Sequence, residues 1–237
     1  IAVGDETLAR ELASVRLAPG TSYSAQIRDA EARLDINVVS EGELRELFQA
    51  VGAGFHAADV AAQSVLDWRD PDELHRGRGA EWDDYYSRLP VPVHPRNGPL
   101  ESIEELRDVR GMERLSGAVA PYVTTYAVGR VNLNTAPAPV LRTIPGLDRE
   151  SVDLILGRRH GVRPLRDVSE LQSQLSGRSR EHLQRHLGEF RARADFDSDI
   201  LEVTSTGAVD GLPFTRTIRA LVTRNGSSVV IFRTFEE

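Results

Sequence analysis

Val131-Asn132-Leu133-Asn134-Thr135-Ala136-Pro137-Ala138-Pro139-Val140-Leu141-Arg142-Thr143-Ile144-Pro145-Gly146-Leu147 places a short extended lead-in, a helix start and a tight hairpin signal within one continuous stretch. Pro145-Gly146 is a turn dipeptide. The next segment, Arg149 to Arg159, reads as a second helix with Asp148 at its cap position. The stretch therefore predicts a pair of helices joined by a hairpin.

Immediately after it comes Pro164-Leu165-Arg166-Asp167-Val168-Ser169-Glu170-Leu171. This aligns, at an offset of 65 residues, with Pro99-Leu100-Glu101-Ser102-Ile103-Glu104-Glu105-Leu106. The shared positions are those a helix start needs. Ser102 and Asp167 are caps, Glu105 and Glu170 reach back to complete capping boxes, and Ile103, Leu106, Val168 and Leu171 make the first core contacts. A repeated helix pair is first of all a packing unit.

Upstream, Ser40 and Glu43 have capping-box spacing, and Leu44, Leu47, Phe48 and Val51 continue one apolar stripe. Val60, Ser64, Val65 and Trp68 mark the next helix, and Pro90 to Pro99 a surface loop. Strand patterns flank this helical region. Tyr23, Ala25, Ile27 and then Leu34, Ile36, Val38 alternate as in a hairpin. From Ile200 onward Leu201, Val203 and Ser205, Phe214 to Thr223, and Val229 to Phe235 are separated by Asp210-Gly211 and Asn225-Gly226, as in an antiparallel meander. Leu8, Leu12 and Val15, spaced four and three apart before Pro19-Gly20, read as an amphipathic helix over residues 5–17. Two-stranded ribbons are marginal alone, so the two flanks are expected to form one sheet. The fold class is α+β: a helix plus an antiparallel sheet over 1–39 and 196–237, with an all-α domain, 40–195, inserted between strands.

Composition narrows the function. The 237 residues carry a net charge of -7, and all 29 basic residues are arginine. An acidic chain does not advertise nucleic-acid or anionic-membrane binding. There is no cysteine, hence neither disulfide nor thiolate ligand. No apolar run reaches the length of a membrane span. GxSxG, GxxxxGK and GxGxxG motifs are absent, so no catalytic machinery is visible. His182 and His186 have a zinc-compatible spacing without a third ligand, and read as a solvated pair.

Two features point to ligands. In helix-hairpin-helix DNA binders a second hairpin glycine admits phosphate to the amides of the next helix. Here Asp148 stands in that place, filling the anion site and repelling phosphate. From Arg142 to Arg193 there are eleven arginines against seven acids, a diffuse excess that keeps a DNA-uptake or repair module as the alternative reading. The acidic stretch from Asp67 to Tyr86 holds seven carboxylates bent by Pro71 and Gly79. Asp67, Asp70, Asp72, Glu81 and Asp84 are the candidate ligands for calcium, which takes six to eight oxygens.

Taken in order, Arg33-Leu34-Asp35-Ile36-Asn37, Asp67-Trp68-Arg69-Asp70 with Gly79-Ala80-Glu81 and Tyr85-Tyr86, Ser102 to Gly111, and Val131 to Pro137 resemble the K-type minor pseudopilin of type II secretion, general secretion pathway protein K. The resemblance implies a pilin-like domain interrupted by a helical one, at the tip of a pseudopilus, assembling with I-type and J-type minor pseudopilins. It also implies calcium binding and a periplasm-facing domain held in the bacterial inner membrane by an N-terminal helix absent from this chain. Leu8, Leu12 and Val15 are then the candidate partner-packing residues, and the insertion would cap the filament by blocking addition above it.

Overall fold

The computed structural model describes residues 10–18, 20–126, 129–160, 164–225 and 228–236. Strands β1 (Arg10–Ala18) and β2 (Thr21–Asp29) form a hairpin closed by Gly20 at φ +80°. The chain then makes a short β3 (Leu34–Asp35), α1 (Glu41–Ala50), α2 (Phe55–Arg69), α3 (Ser116–Val119) and β4 (Val123–Thr124). After β5 (Val131–Asn132) come α4 (Ala138–Leu141), α5 (Arg149–His160), α6 (Val168–Gln174), α7 (Gly177–Arg185), α8 (Leu187–Arg193) and β6 (Ala194–Asp195). It finishes with β7 (Ile200–Val209), β8 (Thr215–Asn225) and β9 (Ser228–Glu236). The main sheet is antiparallel in the order β1-β2-β7-β8-β9, so strands from the two ends of the chain share one sheet around a helical insertion. That is the α+β architecture the patterns predict.

Two local expectations are corrected. The helix expected over 5–17 is strand β1 over the described residues 10–18, so Leu12 and Val15 lie on a strand; Leu8 lies outside the described residues. Leu12 is in register with Ala25 and Val15 with Tyr23, only two residues apart on β2. The bulge adds one residue to β1, so a three-residue spacing that imitates a helix is what a bulged strand produces. The hairpin expected over Tyr23 to Val39 does not form. Asp29 Oδ1 accepts the Glu31 N–H at 2.8 Å and starts a 3-10 turn over Ala30–Ala32. β3 then pairs in parallel with β4, because Leu34 and Ile36 are buried in the core of the insertion.

The insertion is built twice on one plan. Ile36 N donates to Thr124 O at 2.9 Å, and Leu133 N donates to Asp195 O at 2.8 Å. Asn37 N donates to Asp35 Oδ1 and Asn134 N to Asn132 Oδ1, both at 2.9 Å. The Asn37 side chain accepts from Leu100 N at 2.8 Å and donates to Leu100 O at 3.0 Å, and Asn134 does the same to Leu165, at 2.8 Å in both bonds. Each asparagine amide thus substitutes for a strand at a backbone that has none. Arg69 at the end of α2 donates to the carbonyls of Ile36 and Val39, and Arg159 in the last turn of α5 donates to Leu133 O at 2.5 Å and Ala136 O at 2.6 Å. Burial lowers the Arg159 pKa to about 10, which still leaves it charged at neutral pH.

One apolar cluster runs from Leu34 to Ala194 through both copies, with Phe48, Trp68, Tyr86, Leu141 and Phe190 in it. A second, small cluster of Ala30, Ile200 and Leu221, with Tyr126 and Phe235 packed on it, lies under the sheet. Polar clamps fasten the two. Asp29 Oδ2 accepts from Asn132 at 2.9 Å and from the Thr135 and Ser198 hydroxyls at 2.5 Å. Glu31 Oε2 accepts Asp199 N at 2.7 Å, and Arg33 donates to Glu202 at 2.9 Å. Among the described residues no helix is long and apolar enough to cross a membrane.

The Asn134→Leu substitution keeps the branching of the side chain but strands the Leu165 N–H and C=O and the Phe196 C=O. Urea denaturation is expected to show a loss of about 3–5 kcal/mol from three hydrogen bonds and their unsatisfied partners. A loss below about 0.5 kcal/mol would show that the clamp contributes nothing.

Candidate functional site

Two places concentrate polar chemistry: the acidic loop after α2 and the hairpin between α4 and α5. The loop returns to α2 because Trp68 packs edge-on against Tyr86, ring centroids 5.3 Å apart, and the Tyr86 hydroxyl accepts Arg110 N at 3.1 Å. Asp67 is fully buried. Its carboxylate accepts Arg76 N at 3.1 Å and Arg76 Nη1 at 2.5 Å, while the same Nη1 reaches Asp70 Oδ2 at 2.6 Å. Gly79 passes so close that a Cβ there would sit 1.7 Å from Asp67 Oδ2. This explains a glycine at a position whose backbone would otherwise accept any residue.

Glu81 is the outlier of the loop. It is 1 % exposed, and neither carboxylate oxygen has a hydrogen-bond partner. Burial, reinforced by repulsion from Asp67, Asp70, Asp72 and Asp84, pushes its pKa up to about 7. Asp70 Oδ1 is likewise buried without a partner. Asp84 Oδ1 caps Glu81 N at 2.7 Å, whereas Asp72 Oδ1 is used at the exposed rim by Leu74 N at 2.8 Å. Three of the five residues singled out in the sequence, Asp67, Asp70 and Glu81, thus put buried oxygens into the loop's interior; Asp84 supports Glu81, and Asp72 sits outside.

Among the described residues, no three His, Asp or Glu side chains are drawn together tightly enough to hold a metal ion as they stand. The Arg76 guanidinium instead bridges Asp67 and Asp70. A count of acids does not reveal this arginine. The donor set itself is hard carboxylate oxygens, three of them without any hydrogen bond, which is the ligand type that calcium takes. The His182 and His186 rings lie 5.0 Å apart, and among the described residues no third ligand is gathered to them.

At the hairpin, Gly146 adopts φ +86°, and a Cβ on it would lie 3.1 Å from both Leu183 Cδ1 and His186 Cβ. The close approach that this glycine permits is to the end of α7, not to a ligand. Asp148 Oδ1 accepts Ser151 N at 3.0 Å and the Ser151 hydroxyl at 2.8 Å, and Oδ2 accepts the Ser179 hydroxyl at 2.5 Å. Burial pulls the Asp148 carboxyl upward, but the bonds from Ser179 and Ser151 outweigh it and hold it below the usual range. The amides at the start of α5 therefore face a resident anion, which disfavours phosphate there.

Gly146→Ala is expected to cost roughly 1–3 kcal/mol from the positive φ and the contact with α7 together. A thermal melt equal to that of the parent would mean that the hairpin is not wedged against α7.

Comparison with known proteins finds two successive matches to models of the type II secretion system protein K, over residues 22–128 and 131–189. These meet where β4 gives way to β5, between the two copies. A type II secretion system protein K from Pectobacterium carotovorum subsp. carotovorum is 30% identical over 146 residues, covering 53% of this chain and 44% of that protein. A putative type II secretion system protein K from Escherichia coli (strain K12) is 29% identical over 134 residues, covering 51% of this chain and 41% of that protein. The matched region thus spans less than half the length of either relative. The fold resembles a chain of the solved GspK-GspI-GspJ complex of the enterotoxigenic Escherichia coli type 2 secretion system, with a TM-score of 0.73 and 20% identity, covering 94% of this chain and 82% of that one.

Proposed function

Because this chain belongs to the type II secretion system protein K family, we propose that it acts as a minor pseudopilin at the tip of the pseudopilus, a structural rather than a catalytic subunit. The observation that carries the reading is the placement of the insertion. A helical body with its own core interrupts the sheet between β2 and β7, adjacent strands, and so projects from one end of the sheet. Such a body blocks addition of another subunit above it while leaving the sheet to pack below. Two separate apolar clusters support the division into a pilin-like part, 1–39 with 196–237, and an insertion, 40–195, except at its first boundary, where Leu34, Ile36 and Val39 belong to the insertion's core. The domain then faces the periplasm, held at the inner membrane by an N-terminal helix.

I-type and J-type minor pseudopilins are the partners, a reading supported by the solved relative's assembly with GspI and GspJ. Leu8, Leu12 and Val15 remain the proposed packing residues, now with Leu12 and Val15 on the sheet's outer strand β1. Co-purification with I-type and J-type subunits tests this. A complex lost on Leu12→Glu with Val15→Glu is the expected outcome, and an undiminished complex would remove those residues from the interface. The DNA-binding alternative is not favoured, since Asp148 occupies the hairpin's anion site. Nucleic acid is not an expected partner.

Calcium is proposed for the acidic loop, with Asp67, Asp70 and Glu81 as inner ligands, Asp84 and Asp72 at the periphery, and Arg76 displaced on binding. Glu81 supplies a pH signature. Its folded pKa of about 7 lies above its unfolded value, so the folded state holds more protons between those two values. Stability of the calcium-free chain must therefore fall as pH rises through that window and stay low above it. Glu81→Gln is expected to raise the melting temperature at pH 8 without calcium and to remove the upward shift that calcium gives the parent. A Gln variant that melts with the parent at pH 8 and still responds to calcium would exclude Glu81 as a ligand.

A further inference from the structure

The main sheet has two edges, and they are not alike. β1 carries two register irregularities and the charged residues Arg10, Glu11 and Arg16, features that interrupt the addition of another strand. β9 is nine residues long, Ser-Val-Val-Ile-Phe-Arg-Thr-Phe-Glu, without proline, and one irregularity opposite Leu221 and Val222 is its only departure from regular pairing. Four consecutive apolar residues on it are exposed: Val229 at 69%, Val230 at 42%, Ile231 at 61% and Phe232 at 48%. Because successive side chains of a strand point to opposite faces, this run bares apolar surface on both sides of a backbone whose outer N–H and C=O groups have, among the described residues, no strand beside them. A bare apolar sheet face accepts a helix, but an edge that is apolar on both faces fits a strand.

Next to this edge a cleft of about 430 Å³ opens between the sheet and the insertion, lined among others by Arg33, Thr125, Tyr126, Arg219, Arg233 and Phe235. Its charges are largely matched. Arg33 is held by Glu202 at 2.9 Å and Glu101 by Arg96 at 3.2 Å, and Arg219 lies within electrostatic reach of Glu104. Arg233 differs. It is exposed on β9, rests on the Phe235 ring at 4.8 Å, and among the described residues has no carboxylate at salt-bridge distance.

We propose that the outer edge of β9 docks an extended strand of a neighbouring subunit, which joins the sheet through backbone hydrogen bonds, covers Val229 and Ile231, and sets a carboxylate against Arg233. Backbone pairing gives the affinity, and the apolar and acidic positions of the incoming strand set its register. The proposal rests on the assembly reading above in taking that neighbour to be an I-type or J-type subunit.

The test is hydrogen exchange on the whole chain, alone and mixed with the I-type and J-type subunits, combined with Ile231→Lys and Arg233→Glu, both exposed positions. Protection of the amides of 229–235 by at least tenfold in the mixture, with each variant weakening the complex at least tenfold, is the expected result. A complex that forms with these amides unprotected overturns strand pairing and leaves the family reading intact. No complex at all overturns both. Protection that grows with the concentration of this chain alone assigns the edge to a second copy and overturns the proposal of a different subunit.

Discussion

Everything in this protein is arranged around the pairing of β2 with β7. Nine consecutive register pairs, from Thr21 with Val209 to Asp29 with Leu201, join segments separated by the whole helical region. Closing so long a loop is entropically costly, but the cost grows only slowly with length. An insertion that folds on its own core also shortens the effective loop, because Leu34 and Ala194, at its two ends, belong to one apolar cluster. The ladder fixes where the insertion must enter and leave, and hence from which end of the sheet it projects.

At that junction the structure uses polar clamps in place of apolar area. Asp29 gathers Asn132, Thr135 and Ser198, and Glu31 caps the start of β7. Burial raises the Glu31 carboxyl, while the Asp199 and Ile200 amides oppose it. Groups so placed set orientation more than they add net stability, since each replaces bonds to water. The junction thereby orients the helical body on the sheet.

The twofold plan of the insertion is only partly legible in the sequence. The 65-residue offset exposes the shared start at Ser102 and Asp167, yet the deeper correspondences, Asn37 with Asn134 and Arg69 with Arg159, stand at two other offsets, 97 and 90 residues. Asn37 stands 63 residues before its clamped leucine and Asn134 only 31. Most of the difference is the acidic loop, present in the first copy alone. A comparison at fixed spacing therefore loses the equivalence where the loop intervenes. The candidate calcium residues are legible as a dense run of acids. Which of them point inward, and that Arg76 lies among them, depends on how the loop folds back against Trp68 and Tyr86.

The sequence by itself determined the helix with a capping box at Ser40, the 3-10 turn over Ile103–Arg107 with one at Ser102, the Asp148 cap, the C-terminal meander and the α+β class, because each is specified by residues within a few positions of one another; at Asp167 the expected box does not close, since Glu170 accepts Arg166 N instead. Only the tertiary structure decided that Leu12 and Val15 belong to a bulged strand, that Leu34 and Ile36 leave the sheet for the helical core, and that Gly146 is wedged against α7. Periodicity is a local signal, and a bulge, a change of partner or a close approach is settled by a surface far away in the chain. Where local pattern and distant partner agree, sequence suffices; where one spacing serves two structures, the partner chooses.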